Sequence, residues 1–215
     1  INVKLTGTEE TEVNAPGAPV PETAFRALEE RVRGLQAGDV LCLSGSLAPG
    51  MAPDSYARLL QAVPAGVKAV VDTVDEPLRR TLTHRPFLIK PNRAELSQLV
   101  GQALPTPAAV EAAAQTLRQQ GVEQVLVSLG GEGALLVSGD GVWYQPAPAG
   151  RVRCAVSAGD SMIAGFLTAV SRGEPLPEAL QLAVATGSAV TFAGGSVTAD
   201  TVAQVRRQLP AIVRQ

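Results

Sequence analysis

Four segments of this 215-residue chain combine side chains and spacings that could do chemistry. The sharpest is Ser157-Ala158-Gly159-Asp160-Ser161, which precedes the amphipathic run Met162, Ile163, Phe166, Leu167 and Val170. Small residues at a helix start leave free N–H groups at the positive end of the helix dipole, which makes an anion site. Asp160 has a plain structural explanation, since an acid in the first turn stabilises a helix by ~0.3–1 kcal/mol. Beside an anion cradle, however, a carboxylate supplies what phosphoryl transfer to an alcohol requires. The amides take up charge on the transferring group, and the Asp takes the hydroxyl proton.

The other three segments each follow an apolar run that reads as a strand, and ligands of open α/β sheets sit beyond the carboxyl ends of strands. In Lys90-Pro91-Asn92-Arg93-Ala94-Glu95, Pro91 keeps Lys90 extended, and Asn92 with Glu95 forms an N-cap and capping-box pair opening a helix. That structural role is sufficient by itself, yet the same amide and carboxylate could organise the waters of a Mg²⁺ ion. In Ser128-Leu129-Gly130-Gly131-Glu132-Gly133, an ordinary hairpin turn explains the glycines, while backbone free of side chains would also admit a polyphosphate. In Ser44-Gly45-Ser46-Leu47-Ala48-Pro49-Gly50, hydroxyls and glycine amides could hold a phosphate or a sugar hydroxyl, although a polar turn accounts for them too. Neither a Walker A pattern nor a GxGxxG after the first strand is present. The lone His84 lies in a turn-like THRP segment, and Trp143 and Tyr144 alternate on a strand.

Positioning these segments falls to alternating βα units around a largely parallel sheet. Strands are expected at 39–44, 67–72, 87–90, 124–129, 134–138 and 142–145. A helix over 22–35 would place Phe25, Leu28, Val32 and Leu35 on one face. Thr106 and Pro107 read as N-cap and first helical position of a helix that Gly121 ends. The C-terminal third reads as three helices, 160–172, 177–192 and 200–213, with no strand between them, covering one sheet face. In the first fifteen or so residues, Asn2, Lys4, Thr6 and Thr8 alternate with Val3 and Leu5, as in one strand of a separate small sheet whose partners lie elsewhere.

With 46% hydrophobic and 18% charged residues, the chain can bury one substantial core. Its net charge of −2 removes the positive field that nonspecific nucleic-acid or anionic-membrane binding needs. No apolar run approaches a membrane span, and the start lacks a secretory pattern. Cys42 and Cys154 make neither a disulfide framework nor a metal cluster, so reduced thiols and a cytoplasmic setting are expected. The chain opens on Ile1 rather than Met, which leaves an upstream segment open.

Taken in order, SGSLAPG, KPNRAEL, SLGGEGALL and SAGDSMIAGF resemble the four motifs of the PfkB carbohydrate kinases, members of the ribokinase-like fold. INVKL followed by TEVNAPG looks most like the branch that phosphorylates ketohexose phosphates. The resemblance implies a mostly parallel α/β domain over 16–215, with residues 1–15 the remnant of a β-sheet lid. It also implies an N-terminal segment beyond the given sequence, carrying the first strands and most of the lid. In roles, it implies Asp160 as base and the amides of Ala158, Gly159 and Asp160 as anion hole. Asn92 and Glu95 would position Mg²⁺, with Lys90 and Asn92 near the phosphates. Ser128, Gly130, Gly131 and Gly133 would touch ATP, Val184, Ser188, Ala193 and Gly195 would surround the adenine, and Ser46 would hold the sugar substrate's phosphate. ATP and Mg²⁺ are the implied cofactors, a sugar phosphate the implied partner, and a homodimer through the lid the implied assembly. The activity implied is phosphorylation of fructose 1-phosphate, with tagatose 6-phosphate as the alternative acceptor. A non-catalytic nucleotide- or sugar-phosphate-binding protein is the reading from another class, and the retained Asp160, Asn92 and Glu95 speak against it. Two departures from the family stand out: Ser157 where the family has Gly, and, larger still, the N-terminal segment that the given sequence lacks.

Overall fold

A computed structural model describes residues 2–6, 10–15 and 17–215. Its centre is a seven-stranded sheet of β3 (Val40–Ser44), β4 (Lys68–Asp72), β5 (Leu88–Ile89), β6 (Gln124–Ser128), β7 (Gly133–Val137), β8 (Val142–Pro146) and β9 (Val213–Arg214), in that spatial order. Strands β3 to β6 run parallel, and the remaining pairs are antiparallel. Both faces are apolar because neighbours in each strand alternate. Val71, Ile89, Val125, Val127 and Leu135 face one core, while Val70, Leu88, Leu126 and Leu136 face the other.

Four parallel strands laid down in sequence, joined by crossovers of one hand, put every crossover helix on the same face. That face carries α1 (Glu22–Arg33), α2 (Ser55–Gln61), α3 (Asp75–Thr81), α4 (Arg93–Val100) and α5 (Pro107–Gln119). The opposite face is left to α6 (Ala158–Ser171) and α7 (Leu176–Ala193), whose Met162, Ile163, Phe166 and Leu180 fill the second core. Glycines let these two helices touch. A Cβ at Gly165 would lie 2.6 Å from the Leu182 carbonyl oxygen, and one at Gly187 would lie 2.6 Å from Cγ of Met162.

Several sequence expectations need correction. The last helix, α8 (Ala199–Arg207), stops short of residue 213 because Pro210 can neither donate to nor fit within a continuing turn. The freed tail then pairs as β9 on β8, a strand where none was expected. Of the three C-terminal helices, α8 packs on α7 through Val205, Ala185 and Ala189 rather than on the sheet. In α1, Phe25 and Val32 are buried as expected but Leu28 is 43% exposed. At the other end, β1 (Asn2–Thr6) finds an antiparallel partner within the chain in β2 (Glu10–Asn14), with Asn2 opposite Asn14 and Thr6 opposite Glu10. Ile1, Thr8 and Pro16 lie outside the described residues. None of the described helices is long and apolar enough to cross a membrane.

Candidate active site

Parallel pairing lines up the carboxyl ends of the strands, and with them the expected segments. Ser44 is level with Asp72 across β3 and β4, and Val71 with Ile89 across β4 and β5, so Asp72 and Lys90 emerge side by side. Asn92 bridges to Ser128, whose N–H donates to the Pro91 carbonyl at 3.0 Å. Antiparallel β8 returns to the same edge, since Pro146 pairs with Gly133, and it delivers Ala147 to Gly150 beside the others. These ends enclose a cavity of about 750 Å³. Of the expected residues, Lys90, Asn92, Ser128, Gly130, Gly131, Ala158, Gly159, Val184 and Ser188 line it.

The N-terminus of α6 is the centre of this arrangement. Ser157 has φ 59 and ψ 10, a left-handed conformation in which its hydroxyl makes no cap to the helix. Asn92 closes the first turn of α4 by accepting from Glu95 N–H, Thr106 does so for Ala109 N–H in α5 and Thr198 for Thr201 N–H in α8, whereas α6, like α1, α2, α3 and α7, has no side-chain cap. In α6 the Ala158 N–H is spent on the Ala155 carbonyl at 3.2 Å, and Ser161 N–H bonds to the Ser157 carbonyl at 2.9 Å. Of the three amides expected to form an anion hole, Ala158 N–H is thus engaged, while those of Gly159 and Asp160 have no acceptor among the described residues. Left-handed backbone costs a residue with a Cβ ~1–2 kcal/mol, and glycine gives part of that back as chain entropy. Ser157→Gly should therefore raise stability by a net ~0.5–1 kcal/mol, a melting-temperature gain of about 1–4 °C. An unchanged or lower melting temperature would contradict a strained Ser157.

Lys90 is only 7% exposed, and its Nζ lies 3.4 Å from Oδ1 of Asp72. A Cβ on Gly159 would sit 2.7 Å from that Nζ, so the absence of a side chain there lets the ammonium rest against the α6 turn. Burial pushes the Asp72 carboxyl above its usual range, Lys90 opposes the rise, and the charges of Asp160 and Glu95 add to it. Asp160 itself is exposed at the start of α6, outside the cavity lining.

The capping box is fully formed. Asn92 Oδ1 accepts from Glu95 N–H at 2.9 Å, and Glu95 Oε2 accepts from Asn92 N–H at 2.8 Å. Arg93 ties this helix start to the glycine turn through Glu132 at 2.8 Å, and the Tyr144 hydroxyl donates to the Glu132 carbonyl. Within the turn Gly130 and Gly131 are open, with nothing within 4 Å of a Cβ. Gly133 is different: a Cβ there would lie 2.0 Å from the Gln145 carbonyl oxygen, so its smallness serves the β7–β8 contact. Gly195, just after the α7 cap, lies outside the cavity lining, and so do Glu95 in α4 and the exposed Ser46 after β3. The Ser46 loop is braced by the Tyr56 hydroxyl, which donates to the Ser44 carbonyl at 3.0 Å.

Sequence reasoning missed the 147–150 segment, Thr191 and Phe192, which line the cavity, and Asp72, which lies against Lys90 outside the lining. Gly150 packs so closely on the Phe192 ring that a Cβ would come within 2.2 Å of it, a contact that nothing in the local sequence announces.

The chain matches the model of the pfkB family carbohydrate kinases over residues 2–202. It is 36% identical over 206 residues to a 1-phosphofructokinase of Bacillus subtilis, covering 95% of this chain and 68% of that protein. It is 35% identical over 199 residues to the ATP-dependent 6-phosphofructokinase isozyme 2 of Escherichia coli, covering 91% of this chain and 64% of that one. The crystal structure of a phosphofructokinase-like protein from Staphylococcus aureus superposes on all of this chain and 70% of its own, with TM-score 0.89 and 32% identity. The chain thus spans about two thirds of the length of these relatives. The fold is ribokinase-like α/β, and by family match, identity and structure together the chain belongs to the pfkB family of carbohydrate kinases.

Proposed function

We propose that the protein transfers the γ-phosphoryl group of ATP to a ketohexose phosphate, with fructose 1-phosphate as the acceptor. The observation that carries this reading is the uncapped first turn of α6, where two free amides stand beside the Asp160 carboxylate at the mouth of a nucleotide-sized cavity. The glycine turn and the Val184 and Ser188 face of α7 receive the nucleotide in this reading, with the polyphosphate along Gly130 and Gly131. Asp160 accepts the proton as the sugar hydroxyl oxygen bonds to the γ-phosphorus and the bond to the bridging oxygen of the leaving ADP breaks. The Gly159 and Asp160 amides carry the charge that spreads over the equatorial oxygens.

The residues present fit a hydrated Mg²⁺. Among the described residues no group of three or more acidic, His or Cys side chains could hold a metal, and one Glu95 oxygen and Asn92 Oδ1 are engaged in the cap. Mg²⁺ typically keeps several waters and shares the substrate's phosphates, a mode that asks only for the remaining Glu95 oxygen and Asn92 nearby. When bound, it neutralises charge on the β- and γ-phosphates. Ser46 as the holder of the substrate's phosphate, and assembly as a homodimer through the β1–β2 lid remnant, belong to the same proposal.

The test is ADP release by the intact protein with ATP and Mg²⁺, comparing fructose 1-phosphate, fructose 6-phosphate and tagatose 6-phosphate. The expected result is the highest kcat/KM with fructose 1-phosphate. A preference for either 6-phosphate would reassign the acceptor, and no turnover with any sugar phosphate would favour a binding protein.

A further inference from the structure

We propose that Asp72 is a positioning residue, holding the Lys90 ammonium against the open amides of α6 so that amides and ammonium form one phosphate cradle. The role rests on the nucleotide reading above and deepens it. Three observations carry it. Parallel register makes Asp72 and Lys90 neighbours at the ends of β4 and β5, where adjacent strands lie about 4.8 Å apart. Lys90 is buried, and Asp72 is the one carboxylate in ion-pair contact with it among the described residues. The tip of Lys90 lies beside Gly159, at the turn whose amides are unpaired.

A lysine ends in a compact charge on a flexible four-carbon stem, with three donors. Without a fixed counter-charge that stem has no reason to hold one direction. With Asp72 on one side at 3.4 Å, the ion pair holds the ammonium in place and its donors remain for a phosphate resting on the Gly159 and Asp160 amides. Asp72 therefore acts through Lys90, and Asp160 remains the proton acceptor.

This role predicts an effect of unusual sign. Removing a carboxylate beside a polyphosphate should, by simple repulsion, tighten binding. If Asp72 aims Lys90, removing it should loosen binding. The experiment is calorimetric titration of the intact protein with ATP and with AMP, both in excess chelator so that no divalent cation takes part. Asp72→Asn and Lys90→Met should each weaken ATP about tenfold while leaving AMP unchanged, and the double variant should lose no more than either alone, because both changes remove the same contact. Asp72→Glu, which keeps the charge but shifts it by one methylene, should give an intermediate ATP-to-AMP ratio. That ratio also separates a lost phosphate contact from a damaged fold. Unchanged or tighter ATP binding by Asp72→Asn, losses that add in the double variant, or a wild-type ratio in both Asp72 variants overturns the assignment. Wild-type protein that binds neither nucleotide overturns the nucleotide reading itself, and this role with it.

Discussion

Asp160→Asn is expected to lower kcat by about 10²–10⁴-fold, the range that a positioned general base supplies, while nucleotide affinity and fold survive. The substitution keeps size and keeps the Asp160 amide in the first turn of α6, so the proposed anion cradle would persist. Loss of the charge at the helix start costs at most ~0.3–1 kcal/mol. Asp160 is exposed and outside the cavity lining, so no packing is disturbed. Steady-state ADP release and a thermal melt on the same preparation separate the two effects. A kcat within about threefold of wild type would falsify the base assignment and leave Asp160 as a helix-start acid.

Gly133→Ala should produce the largest loss of stability among the glycines of the SLGGEG turn, about 3 kcal/mol. Two causes combine: φ is +115, which a side chain disfavours, and the new Cβ would lie 2.0 Å from the Gln145 carbonyl oxygen and 2.7 Å from the Ala147 nitrogen. Backbone on both sides of the contact leaves nothing flexible to yield. Gly131→Ala is the paired control, because nothing lies within 4 Å of its Cβ position and its φ is not positive. It should change stability by less than ~0.5 kcal/mol while weakening ATP binding, since the new methyl projects from a cavity-lining residue. Denaturant midpoints settle the comparison, and equal midpoints for the two variants would remove the distinction between a structural and a ligand-facing glycine.

The segments that meet at the cavity stand out in the sequence because each is a local device. Asn92 and Glu95 are three residues apart, and their reciprocal cap forms from that spacing alone. The apolar alternation Val70 against Val71, or Leu126 against Val127, likewise declares a strand buried on both faces. What escaped depends on sheet order. Asp72 and Lys90 are eighteen positions apart and become neighbours only because β4 and β5 pair in parallel register. The 147–150 segment joins the site because β8 runs antiparallel to β7 and returns to the cavity edge. The spent amide of Ala158 depends on a left-handed Ser157, a backbone state that residue type alone disfavours. The exposed Leu28 has the period of a core residue, but α1 is held to α2, with Arg58 over the Phe25 ring and paired with Glu22 and Glu29, and its buried side chains narrow to Phe25 and Val32.

One end of α6 is open and its middle is among the most enclosed parts of the molecule: the Gly159 and Asp160 amides are unpaired, whereas Phe166 and Ala169 are fully buried and Gly165 is pressed on α7. Backbone protons on this single helix therefore span the range from rapid solvent exchange to exchange only on global unfolding, within about two turns. The slow half anchors the fast half, so an anion bound as proposed would meet amides already aimed at it and order little chain on arrival. Occupancy of the proposed cradle would then be written in the exchange of two protons, with the buried residues of the same helix as an internal clock that does not change.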